Sequence, residues 1–89
     1  MNNDNEIIQA YFFTNDLFND NDIVKWLTEN KLPTIQKISH HKFYKKIKLY
    51  SLKKLKLEGY DIIFKDYKTG IKINVAVKRP LSSTFVKFD

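Results

Sequence analysis

The residues of this sequence best suited to chemistry are the lysines and tyrosines that alternate between positions 42 and 50. If the segment KFYKKIKLY forms a β-strand, successive side chains point to opposite faces. One face then presents cations interleaved with two aromatic rings: Lys42, Tyr44, Lys46, Lys48 and Tyr50. Ammonium groups displace counterions from phosphates, and a tyrosine ring stacks on an unpaired base. This face is a candidate surface for a polyanion such as nucleic acid, and it continues into Lys53, Lys54 and Lys56.

The same pattern has a purely structural interpretation. A half-buried strand needs a polar outer face, tyrosine and lysine are ordinary residues there, and lysine on an edge strand discourages aggregation. A protein partner that recognises this face is a third interpretation. The other side of the strand would hold Phe43, Ile47 and Leu49, and Lys45 is the residue that does not fit it. The sequence leaves all three interpretations open.

Other kinds of site have little support in the sequence. His40 and His41 are adjacent, so in a strand they point to opposite faces and do not readily chelate one metal ion. The acids and serines form no recognised catalytic constellation. The two glycines, Gly59 and Gly70, both suit turns, which excludes a phosphate-cradling loop. We therefore expect a protein that is not an enzyme and that holds no metal and no cofactor.

The net charge of +6 is unevenly distributed along the chain. Residues 1–30 contain six acids and one base, whereas residues 31–89 contain fifteen bases and four acids. Such polarity could steer a polyanion to one side, or pair the acidic end of one molecule with the basic face of the next. Fifteen of the sixteen bases are lysine, and a composition rich in Lys, Asn, Ile, Tyr and Phe is typical of an AT-rich genome, which raises lysine content whatever the function.

Two elements near the N-terminus can be placed from the pattern. The segment EIIQAYFF, residues 6–13, reads as a largely buried strand with Ile8, Ala10 and Phe12 on one side. A helix follows if Asn19 is its N-cap. Asp20 and Asp22 then lie in the first turn, where the helix dipole favours acids, and Phe18 and Ile23 occupy the two positions of a hydrophobic staple. Its apolar stripe is Ile23, Trp26 and Leu27, Asn30 is its C-terminal residue, and Pro33 forbids continuation.

The second half reads as strands. TIQKIS is a weak strand signal and KFYKKIKLY a stronger one, and residues 60–77 form a hairpin around Gly70, ended by Pro80. STFVKF, residues 83–88, adds a short edge strand, and residues 52–57 suit either a helical turn or a strand. The fold class expected is α+β, with one main helix packed on a four- to five-stranded, mostly antiparallel sheet in the order β-α-β-β-β-β.

The chain fits a single compact domain, residues 1–89, which must build its core from seven Phe, five Tyr and one Trp because it has no cysteine. It shows neither an apolar run long enough to span a membrane nor a signal peptide. We expect a protein that stays inside a cell, in the host cytoplasm or nucleus, or is packaged in a particle assembled there.

The segment DIVKWLTENKL, followed by FYKKIKLYS, resembles a small helix-plus-sheet unit in proteins of tailed phages and large DNA viruses. In that unit a "WL" helix with basic residues precedes a strand that carries an aromatic residue and alternating arginines. The likeness covers residues 18–51; the helix here exits through Leu32 and Pro33 rather than a glycine, and Lys46 and Lys48 stand where the unit would have arginine. The resemblance implies a viral origin and brings no mechanism with it.

The expectation is a small basic viral or phage module that binds nucleic acid with little sequence specificity. Its binding residues would be Lys42, Tyr44, Lys46, Lys48, Tyr50, Lys53, Lys54 and Lys56. The alternative is a virion structural or protein–protein interaction component that self-associates or docks on a partner. A further alternative is an inhibitor of a host enzyme.

Overall fold

The fold is one antiparallel β-sheet with two helices. It is seen in a computed structural model that describes residues 6–34 and 37–78. The elements in chain order are β1 Glu6–Thr14, α1 Asp20–Glu29, β2 Ile38–His40, β3 Tyr44–Lys48, α2 Leu52–Leu57, β4 Tyr60–Lys68 and β5 Ile71–Lys78. The sheet has five strands in the order β2-β3-β1-β5-β4. The predicted α+β class is confirmed.

Helix α1 begins and ends where its capping residues dictate. The Asn19 side chain accepts a hydrogen bond from the Asp22 amide at 2.8 Å, and the Asp22 carboxylate accepts one from the Asn19 amide at 3.0 Å. This reciprocal pair satisfies amide groups that have no partner within the helix. At the other end the Leu32 amide donates to the Leu27 carbonyl at 2.9 Å, with Lys31 between them at φ 59°. That is a Schellman ending, which usually has glycine where Lys31 stands.

Helix α1 covers one face of the sheet, and the core lies between them. Its buried residues Ile23 and Leu27 pack on side chains of the three central strands. Trp26 stands edge to face with Phe13 at 5.4 Å and with Tyr11 at 5.1 Å. The buried residues of the sheet in this cluster are Tyr11, Phe13, Ile47, Ile71, Ile73 and Val75.

A β-bulge in β1 changes which residues share a face. Opposite β5 the register moves from Ile8–Val75 to Ala10–Asn74, so Gln9 is an extra residue in β1. As a result Ile8 packs with the core beneath α1. The prediction that Ile8, Ala10 and Phe12 share one side of the pleat was therefore wrong for Ile8.

The predicted hairpin is confirmed as β4 and β5. Its turn contains Gly70, which has φ +77°, and a Cβ atom there would lie 2.7 Å from Cδ1 of Leu17. Glycine is needed at this position both for its backbone angle and for the space.

Three other expectations need correction or concern residues that the structure does not describe. The element order is β-α-β-β-α-β-β, because residues 52–57 form helix α2 with Ser51 as N-cap and Leu55 buried. The strand predicted around TIQKIS is only the three residues of β2. Pro80 and the strand predicted at residues 83–88 lie outside the described residues.

In the part of the chain that the structure describes, neither helix is long and apolar enough to cross a membrane.

Candidate nucleic-acid interface

The sheet face opposite α1, here called the open face, has a phenylalanine between two lysines at its centre. Phe12 on β1 is the register partner of Lys46 on β3 and of Lys72 on β5. Opposed residues of an antiparallel pair lie on the same face, so these three side chains form a row across the sheet. The row brings together residues from three separate parts of the sequence.

Aromatic rings cross the open face from strand to strand. The Phe12 ring stands edge to face with Tyr44 on β3, at a centroid separation of 5.4 Å. On its other side it meets Phe64 on β4 in the same manner, at 5.2 Å. Phe64 is 57% exposed, so a large part of its surface is available to a ligand. The three rings form a connected aromatic surface, and such surfaces stack on nucleobases.

Two ammonium groups lie over these rings. Nζ of Lys46 is 5.4 Å from the centroid of Phe12, and Nζ of Lys72 is 5.8 Å from the centroid of Phe64. Lys72 also contacts the Asp66 carboxylate at 3.5 Å, but both side chains are largely exposed, which makes the pair weak. The cations therefore lie beside the aromatic surface, and the exposed pair with Asp66 does little to hold Lys72 in place.

A cleft of about 540 Å³ lies over this aromatic surface. Its wall includes Phe43, which is 72% exposed in the connection between β2 and β3, with Nζ of Lys42 5.2 Å from its ring. Asn74 supplies an amide within the cleft. Side chains that enclose the cleft from the strands are Phe12, Thr14, Tyr44, Phe64, Asp66 and Lys72. Apolar walls with few polar groups suit a flat, partly apolar ligand.

The other end of the open face is closed by the connection from β3 to α2, which Gln9 holds in place. Gln9 is fully buried; its amide donates to the Tyr50 carbonyl at 2.7 Å and accepts from the Asn74 side chain at 3.1 Å. Its backbone carbonyl accepts from the Leu49 and Tyr50 amides. Because α2 begins two residues later, at Leu52, these hydrogen bonds anchor the segment that leads into α2, and the lysines of α2 follow beside the open face.

Charge is separated across the sheet. The open face and its margins carry Lys46, Lys48 and Lys72 together with the acid Asp66, whereas α1 on the other side carries Asp20, Asp22 and Glu29 together with the base Lys25. The uneven charge along the sequence thus becomes a difference between two faces. The charges of the open face therefore favour an anionic ligand there more than on α1.

The predicted site residues fall into three groups. Tyr44, Lys46 and Lys48 share the open face on β3, in the arrangement that their alternation indicates. Lys42 lies in the loop before β3, and Tyr50, half exposed, lies after it. The three remaining lysines, Lys53, Lys54 and Lys56, are exposed on α2.

Two residues of the predicted strand have other roles. Lys45 lies on the α1 side, where its ammonium donates to the Asn15 side chain at 2.9 Å and to the Phe18 carbonyl at 3.0 Å. It holds the connection that leads into α1, which explains why a lysine occupies that side. Phe43 lies outside the strand and is exposed, so its predicted place beside Ile47 was wrong.

Phe12, Phe64 and Lys72 were not among the predicted site residues. Each lies in a strand that was recognised, but their neighbourhood depends on the strand order and on the bulge at Gln9. Period-2 alternation showed that Phe64 and Lys72 lie on definite faces of their strands; it did not show that those faces adjoin Tyr44.

The histidines take part in separate contacts. The His40 imidazole lies 2.9 Å from the Asp20 carboxylate at the start of α1, and the His41 ring stacks on Tyr44 at 4.6 Å. Within residues 6–34 and 37–78, no three side chains of His, Asp or Glu come together as a set of metal ligands.

No protein family model, no curated protein and no solved structure matches this chain. The geometry of the open face is therefore the basis for any functional conclusion.

Proposed function

We propose that this protein binds single-stranded nucleic acid across the open face, with little preference for sequence. In this proposal Lys46, Lys48 and Lys72 contact phosphates, while Phe12, Tyr44 and Phe64 stack on bases. The observation that carries the proposal is the row Lys46–Phe12–Lys72, joined to two further rings on the outer strands.

The rings favour single strands over duplexes. In a duplex the faces of the bases are covered by their neighbours, so only an unpaired base can stack on Phe64 or Tyr44. The proposed surface is also a sheet rather than a protruding helix, and α1, the longer helix, is acidic in its first turn. A major groove is usually entered by a basic helix or ribbon.

The exposure of the rings supports a ligand rather than a role in the core. Phe43 and Phe64 are 72% and 57% exposed, while Phe13, on the α1 side, is fully buried. An 89-residue chain has little apolar surface to spare, and contiguous exposed aromatic groups mark binding sites.

Low sequence specificity follows from the kind of groups present. Lysines bind phosphates as point charges, and stacking accepts any base. In the cleft one N–H of the Asn74 amide is donated to Gln9, and few other polar groups are present to read base edges.

The same exposed rings favour a second candidate, a protein partner that docks on the cleft. Such a partner would cover Phe43 and Phe64 with its own apolar side chains. This candidate corresponds to an interaction or virion component, and a viral origin rests on the "WL" helix resemblance alone.

Fluorescence anisotropy of a labelled single-stranded oligonucleotide tests the proposal. Affinity is measured at about 50 and 200 mM salt for the wild type and for Lys46→Ala/Lys72→Ala, and we expect the slope of log K against log salt to fall by about 0.7 for each lysine–phosphate interaction that the substitutions remove. The control is Lys25→Ala/Lys31→Ala, which removes the same charge from α1 and its end and is expected to keep the wild-type slope.

A duplex of the same sequence is measured in parallel and is expected to bind more weakly than the single strand. Absence of binding at low salt would overturn the proposal and leave the protein partner as the remaining candidate. Equal reductions in affinity for the lysine variant and the control would show that net charge attracts the nucleic acid without a defined binding face, and would overturn the proposal too.

A further inference from the structure

The outer edge of β4 is long and has no strand paired with it among the described residues. The sheet ends on β4 at one side and on β2 at the other, but β2 has three residues and β4 has nine. Every second residue of an edge strand directs its N–H and C=O groups away from the sheet. Proteins usually shorten, charge or cover such an edge. β4 is neither short nor interrupted by proline, and its charged residues are of both signs, so they can pair as well as repel: Asp61, Lys65, Asp66 and Lys68.

Two apolar side chains at the middle of β4 are exposed on opposite faces. Ile63 is 49% exposed on the side of α1, and Phe64 is 57% exposed on the open face. On the α1 side a groove of about 330 Å³ lies between Lys65, Tyr67 and Val75, and Trp26 of α1 contacts β4 further along the strand, at Tyr67, with ring centroids 6.5 Å apart. Within the described residues, the centre of the strand thus presents unpaired backbone together with uncovered apolar surface.

We propose that β4 pairs antiparallel with β4 of a second copy, about a two-fold axis that passes between the two Ile63 residues. Two sheets would then join into one continuous sheet. With the axis perpendicular to the sheet, both α1 helices lie on one side and both open faces on the other. The interface is isologous, so the same strand must complement itself.

The sequence of β4 is complementary to itself in this register. Asp61 of one copy lies opposite Lys65 of the other, and this ion pair occurs twice because of the symmetry. Ile62 lies opposite Phe64, also twice, and Ile63 faces its own copy on the axis. Opposed residues of these kinds stabilise an antiparallel pair.

Neighbouring registers lack this complementarity. An axis through Phe64 sets Lys65 opposite Ile63 and Asp66 opposite Ile62, so that charges face apolar side chains. An axis through Lys65 sets two lysines directly opposite each other, which is destabilising. The arrangement of charges therefore selects the axis at Ile63 and selects a second copy as the occupant of this edge.

The inference does not rest on nucleic-acid binding, because it is argued from the edge of β4 and is tested without a ligand, although Phe64 belongs to both surfaces. It does have a consequence for the proposed function. Phe64 of the two copies would lie on either side of the axis, so the two open faces would meet and form one surface of twice the width.

Charge reversal at two exposed positions tests the register. Asp61→Lys places lysine opposite Lys65 twice, and Lys65→Asp places aspartate opposite Asp61 twice, so each variant alone is expected to weaken dimerisation by about tenfold or more. An equal mixture of the two variants restores both opposed pairs in a heterodimer. The double variant Asp61→Lys/Lys65→Asp restores them in a homodimer.

Sedimentation velocity of the full chain over about a hundredfold range of concentration gives the mass of each species. We expect a dimer for the wild type, weaker association for each single variant, and recovery in the mixture and in the double variant. Lys25→Asp on α1 is the control, since it makes the same charge change away from the edge and is expected to leave the dimer intact. Circular dichroism of every variant checks that the fold is retained.

A wild-type protein that stays monomeric would overturn the inference, including the case in which another segment of the same chain covers the edge. A dimer that responds equally to Lys65→Asp and Lys25→Asp would overturn it too. The same holds for a mixture that associates no better than its components.

Discussion

Phe12 and Phe64 stand edge to face with ring centroids 5.2 Å apart, although β5 separates the two strands that carry them. This contact joins the middle of the sheet to its outer strand on the side away from α1. Together with Tyr44 on β3, it spreads aromatic surface over the width of three strand spacings, which matches a chain of successive unpaired bases better than a single small ligand.

Phe64→Ala is expected to weaken binding of single-stranded nucleic acid by about 1–3 kcal/mol, because the base that stacks on the Phe64 ring in the wild type has no ring to stack on in the variant. The ring is largely exposed, so the free energy of unfolding should change little. Oligonucleotide titration and urea denaturation measure the two effects. Val24→Ala, which removes exposed apolar surface on α1, is the control and should bind as the wild type. Equal affinity of all three proteins would contradict the assigned role of Phe64.

Gln9→Met is expected to lower the free energy of unfolding by about 1–3 kcal/mol, because methionine fills the space but leaves the Tyr50 carbonyl and the Asn74 amide without their buried partner. Chemical denaturation measures the decrease. A variant as stable as the wild type would show that water replaces both hydrogen bonds, and that Gln9 does not hold the start of α2 in place.

Lys31→Gly is expected to raise the free energy of unfolding by up to about 1 kcal/mol, since glycine adopts the positive φ of this position without the penalty of a side chain. Lys25→Gly is the matched control within α1 and should lower it by about 1 kcal/mol. Thermal and urea denaturation of both variants give the comparison. A decrease in stability in both would mean that Lys31 contributes through its side chain.

Stability should decline at alkaline pH partly through Tyr11. Burial raises the pKa of its phenol above the ordinary value of 10.0, and the neighbouring Tyr67 raises it further. The unfolded chain therefore releases the phenol proton at a lower pH than the folded protein. The contribution of Tyr11 to the free energy of unfolding is complete below about pH 10 and is lost as the pH rises through the pKa of the folded protein.

Tyr11→Phe removes the titrating group while keeping the ring in the core. Denaturation midpoints measured from neutral to strongly alkaline pH should fall less steeply for this variant than for the wild type. Parallel curves for the two proteins would contradict the contribution of Tyr11.

Local sequence patterns predicted the helix and the strands, but the residues that share the open face could be assigned only with the strand order and the bulge known. Capping residues located α1, and period-2 alternation placed Tyr44, Lys46 and Lys48 on one face of β3. The bulge at Gln9 had no signal in the sequence, because an extra residue in a strand does not change its composition. Without the bulge and the strand order, Phe12 could not be assigned to the same face as those three residues.

Residues 52–57 show a different limit. Leu52 and Leu55 suit a helical turn, whereas Leu55 and Leu57 suit a strand, and so short a segment fits both periods. Leu55 is the buried residue, Leu57 is 80% exposed, and the Ser51 cap starts the helix. Tertiary packing at one leucine decided between the two structures.

The most direct test of the open face as the binding surface is an NMR titration of the isotope-labelled protein with a short single-stranded oligonucleotide. We expect the amide signals of Phe12, Tyr44, Lys46, Phe64 and Lys72 to shift together and to saturate with one affinity, while those of α1 stay in place. Shifts concentrated on α1, or no shifts at low salt, would contradict the proposal that the face opposite α1 binds nucleic acid.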